Sequence, residues 1–368
     1  MFSMFTLRRA AAAAVVASVA VLAAGTAGAK TAAESSGQAK PKPPTEAQLV
    51  AKSKTESGIV VYGNPPAANW KVVTDAFTKK YPWVKVTSYD LDNNVIFSKY
   101  AAEAAQGIRS ADLLVSSAPN LWVYARRKKH VVDFTPNGIS SYPSFVKQYK
   151  GVFILSPDPA VIVYNKLLLK DKVPNSLTEI AKDPGTYGKL TGYTVDNLFG
   201  YTGLWGYVQK KGWSNLQAIG SSRFRAQTGV SGQLQLLSQG AAVAAYLTSP
   251  TARFTIANNS QLQQILAWTY NKDATPLVPR GIGITAKAAS PASAKLFLNY
   301  VYSTQGQQTM CDAGFTAFRL KFKPSNCSNT LDDVYAKVGK KNVIFVPYSQ
   351  KFVNDYPKFK ARWHQIFG

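Results

Sequence analysis

The sequence predicts an α/β fold of two doubly wound lobes, and three observations predict it. Strand-like and helix-like stretches alternate from Gly58 to Val115, strand, helix, strand, helix, strand in roughly 60 residues, the pattern of a parallel sheet covered by helices. About 310 residues remain once the N-terminal segments are set aside, more than one hydrophobic core ordinarily holds. Polar residues stand where strands end, Asn64 after the first and Ser116-Ser117 after the third. In doubly wound sheets ligands bind at those carboxyl ends.

The first 29 residues read as an export signal: Arg8-Arg9, an apolar run from Ala10 to Ala24, and Ala27-Gly28-Ala29 before Lys30. The run is too short and alanine-rich for a membrane span. No cysteine lies near the cleavage site, so an exported protein without a lipid anchor is expected, periplasmic or extracellular. Residues 30–57 carry no large apolar side chain before Leu49 and are expected as a flexible leader, with one helical turn between Pro44 and Lys54.

Gly58–Tyr62 is a buried-type strand, followed by a helix from Ala67 to Tyr81 whose stripe is Trp70, Val73, Phe77 and Tyr81; Pro82 stops it. Val84–Val86 begins the second strand, a helix spans Val95–Gln106 up to Gly107, and Ala111–Val115 is the third strand. Phe153–Leu155, a kinked Ser156-Pro-Asp-Pro159 and Val161–Tyr164 follow. A helix starts at Pro174–Leu177, a strand runs over Leu190–Val195, and the turn Asp196–Gly203 opens a helix over Leu204–Gln209. The helix Val230–Ser238 ends at Gly240, before the strand Ala241–Tyr246. Gly281–Thr285 is a short strand leading to a helix over Ala292–Tyr302, with Ser290-Pro291 as cap and first turn. Ala294, Phe297, Leu298, Val301 and Tyr302 give that helix one apolar face.

Lys and Arg number 43 against 19 acids, a formal charge of +24; removing the signal takes two cations and leaves +22. The lysines are scattered, and the one dense run, Arg126–Lys129, falls where a helix should end and cations are favourable, so no nucleic-acid partner is expected. Cys311 and Cys327 are the only cysteines; in an exported chain a disulfide is the natural reading, and a metal-ligand pair lacks a nearby histidine. The only histidines, His130 and His364, have no nucleophile or metal-ligand neighbour at useful spacing and read as surface residues. There is no P-loop, HExxH or nucleophile elbow, and Gly281-Ile-Gly283 lies inside a strand, so neither enzyme activity nor a cofactor is expected.

Val60-Val-Tyr-Gly63 entering a helix, Phe77…Tyr81-Pro82-x-Val84-x-Val86, Ala101-Ala-Glu103…Gly107…Ala111-Asp112…Ser116-Ser117, Val161-Ile-Val-Tyr-Asn-Lys166 and the run Thr275–Met310 occur in this order. The set resembles the bacterial extracellular solute-binding proteins that feed ABC importers, in the ferric-ion and small-anion branch of the type II periplasmic binding proteins. The resemblance covers Gly58 to Met310. It implies two lobes joined by crossover strands with the ligand cleft between them. The organisation it implies is 58–158 for the first lobe, 159–278 for the second, 279–330 for the return to the first, and 331–368 for a C-terminal helical tail. It further implies a monomer that captures a small solute and delivers it to a membrane permease.

In the ferric-binding relatives adjacent tyrosines hold the metal where this chain has Thr248-Ser249-Pro250, and a His and a Glu stand where it has Asn64-Pro65-Pro66 and Ser116-Ser117. Fe(III) needs anionic oxygens, so the resemblance carries fold and role while these positions argue against iron. The candidate ligand contacts are Asn64, Ser116, Ser117, Asn197, Thr202, Thr248, Ser249 and Arg280, with Arg253 a second candidate cation or a surface helix residue. Hydroxyls, amides and one arginine suit an organic or phosphorus-containing anion. A ferric-iron receptor using other oxygens, and a basic exported adhesin binding envelope polymers, remain as alternatives.

Overall fold

The structure, a computed structural model, describes residues 43–368; the expected export signal and residues 30–42 of the expected leader lie outside the described residues. In chain order the strands are β1 (Ile59–Gly63), β2 (Val86–Asp90), β3 (Leu113–Ser116), β4 (Lys147–Tyr149), β5 (Val152–Pro159), β6 (Val161–Asn165), β7 (Lys189–Tyr193), β8 (Arg223–Gln227), β9 (Ala244–Thr248), β10 (Leu266–Tyr270), β11 (Thr275–Ile284) and β12 (Val343–Phe345). They form two sheets. One has the order β2-β1-β3-β11-β5-β4 with β12 added to β11, and the other the order β10-β6-β9-β7-β8. The chain passes between the sheets at Ala160, between β5 and β6, and again at residues 271–274, between β10 and β11.

The first lobe is wound as its apolar pattern directs. Trp70, Val73, Phe77 and Tyr81 are all buried, and Trp70 and Phe77 pack their rings on Phe297 of the helix Pro291–Val301. Ser290 precedes that helix but makes no capping bond. Its first amides, Ala292 and Ser293, instead donate to the Glu56 carboxylate at 2.9 and 2.8 Å. Glu56 can do this because the chain from Pro44 onward is part of the lobe. The helix Glu46–Ser53 is closed by a Thr45–Gln48 capping box and buries Leu49. The expected flexible leader is therefore folded over its second half, held by Leu49 and by the Glu46 and Glu56 carboxylates.

In the second lobe the helix expected from Leu204 begins six residues earlier, at Leu198, capped by the Asn197 side chain. Glycines 200, 203 and 206 masked it in the sequence, and at Gly200 and Gly206 a neighbouring element approaches too closely for a Cβ. Strands β8 and β10 were not foreseen, because neither alternates cleanly.

The tail joins both lobes. β12 pairs in parallel with Thr275–Leu277 of β11, and Tyr348 donates to the Pro279 carbonyl at 3.0 Å. The helix Gln350–Phe367 then lies on the second lobe, where Tyr201 meets Phe352, Tyr356 and Phe359, and Trp205 donates to Asp355 at 2.9 Å. Cys311 and Cys327 form a disulfide with Cα atoms 6.1 Å apart. Among the described residues no helix is long and apolar enough to cross a membrane.

Trp363, which is 2% exposed, anchors the end of the tail on the second core. Trp363→Ala should cost about 3–5 kcal/mol of stability in a urea titration. The Asp355 carboxyl is held below its ordinary value by hydrogen bonds from Lys351 and Trp205. A depressed folded value means that its contribution is complete above the unfolded value of about 3.9 and is lost as pH falls through the folded one. Trp205 fluorescence should change in that acid window, and Asp355→Asn should abolish that component.

Candidate functional site

The carboxyl ends of the first-lobe strands face the second sheet across a cavity of about 310 Å³. Asn64, Ser117, Asn197, Ser249 and Arg280, five of the expected residues, line it. The other three do not. Ser116 is fully buried, donating to Asn93 Oδ1 at 2.6 Å. Thr202 falls within the second-lobe helix and donates to its own Leu198 carbonyl at 2.6 Å. Thr248, the last residue of β9, donates to Gln233 at 2.7 Å. The alternation of a strand explains Ser116 and Thr248: of two adjacent hydroxyl residues at a strand end, one faces the cleft and its neighbour the core.

At the cavity floor lies an ion pair between β5 and β11, the two strands of the first sheet that adjoin the crossovers. Arg280 of β11, 2% exposed, places Nε and Nη2 each 3.1 Å from Asp158 Oδ2 of β5. The ladder between these strands shifts register between Arg280 and Gly281, and such a bulge re-aims the side chain beside it. Gly281 also has no room for a Cβ, which would lie 2.5 Å from both Trp122 Nε1 and the Tyr348 hydroxyl. Burial pushes the Asp158 carboxyl up, while Arg280 and the Ser156 hydroxyl, which donates to Oδ1, pull it down.

Arg280 also fixes Asn64. Its Nη1 donates to Asn64 Oδ1 at 2.8 Å and to the Asn64 carbonyl at 3.2 Å, and Asn64 Nδ2 in turn donates to Asn93 Oδ1 at 2.9 Å and Ser117 Oγ at 3.0 Å. The Asn93 Oδ1 thus has two donors, whereas its Nδ2 has no protein partner among the described residues although the residue is 4% exposed and lines the cavity. The network aims one amide and the Ser117 hydroxyl into the cleft.

The second lobe contributes Tyr193 from the end of β7, Phe199, the Ser249–Thr251 hydroxyl pair 3.0 Å apart, and Gly229–Ser231. Gly229 is the N-cap of the helix Val230–Ser238 and offers no capping side chain, so the first amides of that helix stay open toward the cavity. Arg253 lies on the far side of its short helix, buried beneath Trp268 at 4.9 Å and donating to Tyr270 at 3.2 Å. It is neither a surface residue nor part of the cavity wall.

Asp90, Asp92, Asn93, Asp158 and Tyr193 escaped the sequence reading. Asp90 and Asp92 stand at the carboxyl end of β2, where the strand-end rule would have found them. The half-exposed Val-Thr-Ser-Tyr-Asp hides that end, as Pro157 and Pro159 hide β5. Asp90 is open to cleft water yet crowded on both sides, and that desolvation raises its carboxyl against the pull of Arg280. Among the described residues no three of His, Cys, Asp and Glu gather closely enough to hold a metal ion.

Arg280→Met should destabilise the protein by about 3–5 kcal/mol at neutral pH, because Asp158 is left buried without a counter-charge. The deficit should shrink below pH about 4, where the unfolded chain protonates Asp158 as well. Arg280→Met/Asp158→Asn should recover much of the loss; urea titrations at two pH values measure both effects.

Comparison with known proteins agrees with this architecture. A substrate-binding protein of an ABC transporter from Agrobacterium tumefaciens superposes with a TM-score of 0.74 at 19% identity, covering 87% of this chain and 97% of that one. The periplasmic binding protein AfuA from Actinobacillus pleuropneumoniae, solved with fructose-6-phosphate, gives 0.68 at 16% identity over 84% and 98%. Iron-bound HitA from Pseudomonas aeruginosa gives 0.66 at 14% identity over 84% and 99%. At these identities the likeness speaks for the fold. No match was found among curated protein sequences. The family model for bacterial extracellular solute-binding proteins matches residues 63–308, two thirds of the sequence, and the chain belongs to that family.

Proposed function

We propose that this receptor captures a small polar solute carrying an anionic group, closes its lobes over it, and presents it as a monomer to an ABC permease without making or breaking a bond. The observation that carries this reading is the cavity itself: about 310 Å³, walled by unpartnered donors from both lobes. A ligand gripped from two sides stabilises the closed arrangement, and the crossovers at Ala160 and residues 271–274 are the natural hinges. Arg280 is already committed to Asp158 and Asn64, so the anionic group falls to the Ser249 hydroxyl and the open amides at Gly229–Ser231, leaving Asn93 Nδ2 and the Ser117 hydroxyl for the solute's other polar groups. AfuA, whose structure holds a sugar phosphate, supports an oxyanion; HitA, which holds iron, keeps the ferric alternative in the test.

Thermal melting against phosphates, sulfonates, carboxylates, neutral sugars and Fe(III) tests this. A saturable rise with a small anion is expected, weakened about tenfold by Ser249→Ala, the loss of one hydrogen bond to a charged group. A response to Fe(III) alone, or to neutral sugars alone, would overturn the anion assignment.

A further inference from the structure

The cavity's charge runs against that of the protein. The chain carries 43 basic residues and 19 acids. Yet three lining side chains carry formal charge at neutral pH, Arg280, Asp90 and Asp92, and Arg280 is cancelled by Asp158 directly behind it. The wall of a strongly basic protein is therefore net acidic at its binding cleft. Among the described residues neither Asp90 nor Asp92 has a salt-bridge partner, and Asp90 makes no side-chain hydrogen bond. Asp92 uses one oxygen to accept the Asn94 amide at 2.9 Å and keeps the other free.

The two kinds of group lie on opposite walls. The carboxylates end β2 on the first lobe, while the open amides of Gly229–Ser231 and the Ser249–Thr251 hydroxyls belong to the second. Ser249 and Thr251 are 4% and 2% exposed, so these donors are set into the wall rather than carried on its surface. A pure anion would meet donors on one side and two carboxylates without salt-bridge partners on the other, and closure would force them together at falling dielectric. A pure cation would leave the open second-lobe amides and one hydroxyl of the Ser249–Thr251 pair without an acceptor.

We propose that the solute is a zwitterion whose anionic group docks on the second-lobe amides and hydroxyls while an ammonium or similar cationic group faces Asp90 and Asp92 on the first lobe. This rests on the reading of the cleft as a solute site given above. Each end of such a ligand is recognised by a different lobe, so neither lobe alone holds it and binding is coupled to closure. The crowding that penalises ionised Asp90 in the empty cleft is offset by the ligand's cation.

The test uses the full chain and matched probes: O-phosphoethanolamine, taurine and β-alanine beside ethyl phosphate, ethanesulfonate and propionate, with glucose 6-phosphate as a polyhydroxylated anion. At least one zwitterion should raise the melting temperature saturably and bind about tenfold or more tighter than its partner lacking the amine. Asp90→Asn should erase most of that ratio, weakening the zwitterion while leaving the amine-free anion bound as well as before or more tightly. Asp90 is exposed, so the ligand-free variant should melt as the wild type does. Equal binding of zwitterion and amine-free anion, a response to glucose 6-phosphate alone, or a preference that survives Asp90→Asn would overturn the zwitterion and leave the receptor standing. Silence from every probe would overturn both.

Discussion

The Arg280–Asp158 pair is the constraint on which the cleft depends. Two opposite charges, each almost wholly withdrawn from water, tie β5 to β11, the strands through which the chain enters and leaves the second lobe. Their attraction does little more than offset the cost of removing them from water. What they contribute is position. The guanidinium is spread over Asp158 and Asn64, Asn64 orients Asn93 and Ser117, and the first-lobe wall inherits its geometry from one buried cation. An arginine suits this better than a lysine, since its planar fork reaches three acceptors in fixed directions.

Around this centre the architecture keeps the two lobes distinct yet repeatedly connected. Two strand-to-strand passages link the sheets, and the tail adds a third connection through β12, Tyr348 and the last helix. The last helix is more than a cover. It supplies Phe352, Phe359 and Trp363 to the second core and, through Lys360 and His364, pairs with Asp196 beside the helix that opens onto the cavity. The carboxyl terminus thus buttresses the second-lobe wall from behind, as the Glu46–Ser53 helix and Glu56 support the first lobe.

The polar character of the cleft follows from where strands and helices end. Ends leave amides and carbonyls without ladder partners, and both sheets turn such ends toward the same space. Short hydroxyl and amide side chains complete them: Asn93, Ser117 and Asn197 cap or cross-link the turns. Charge is scarce by comparison, and the cleft spends its one arginine internally. Its wall presents hydrogen-bonding groups and two free carboxylates rather than a field of cations, despite the basic composition of the whole.

The apolar stripes, the strand–helix alternation, the end of the first helix at Pro82 and the polar junctions at Asn64, Ser117, Asn197 and Ser249 were legible in the sequence. They depend on local periodicity and on turn chemistry, which act between near neighbours. Other features were decided only by tertiary structure. Ser116 and Ser117 are chemically alike, and only the pairing of β3 with β1 and β11 determines which one faces the cleft. Asp158 lay within a proline-broken stretch that reads as a kink until it is set beside β11 122 residues away. Glu56 and Tyr348, remote in sequence from the parts they hold, gave no local signal at all. Order along the chain specified which elements form, and the facing of strands specified which side chains meet, because hydrogen-bonded neighbours in a sheet are chosen by burial rather than by proximity in sequence.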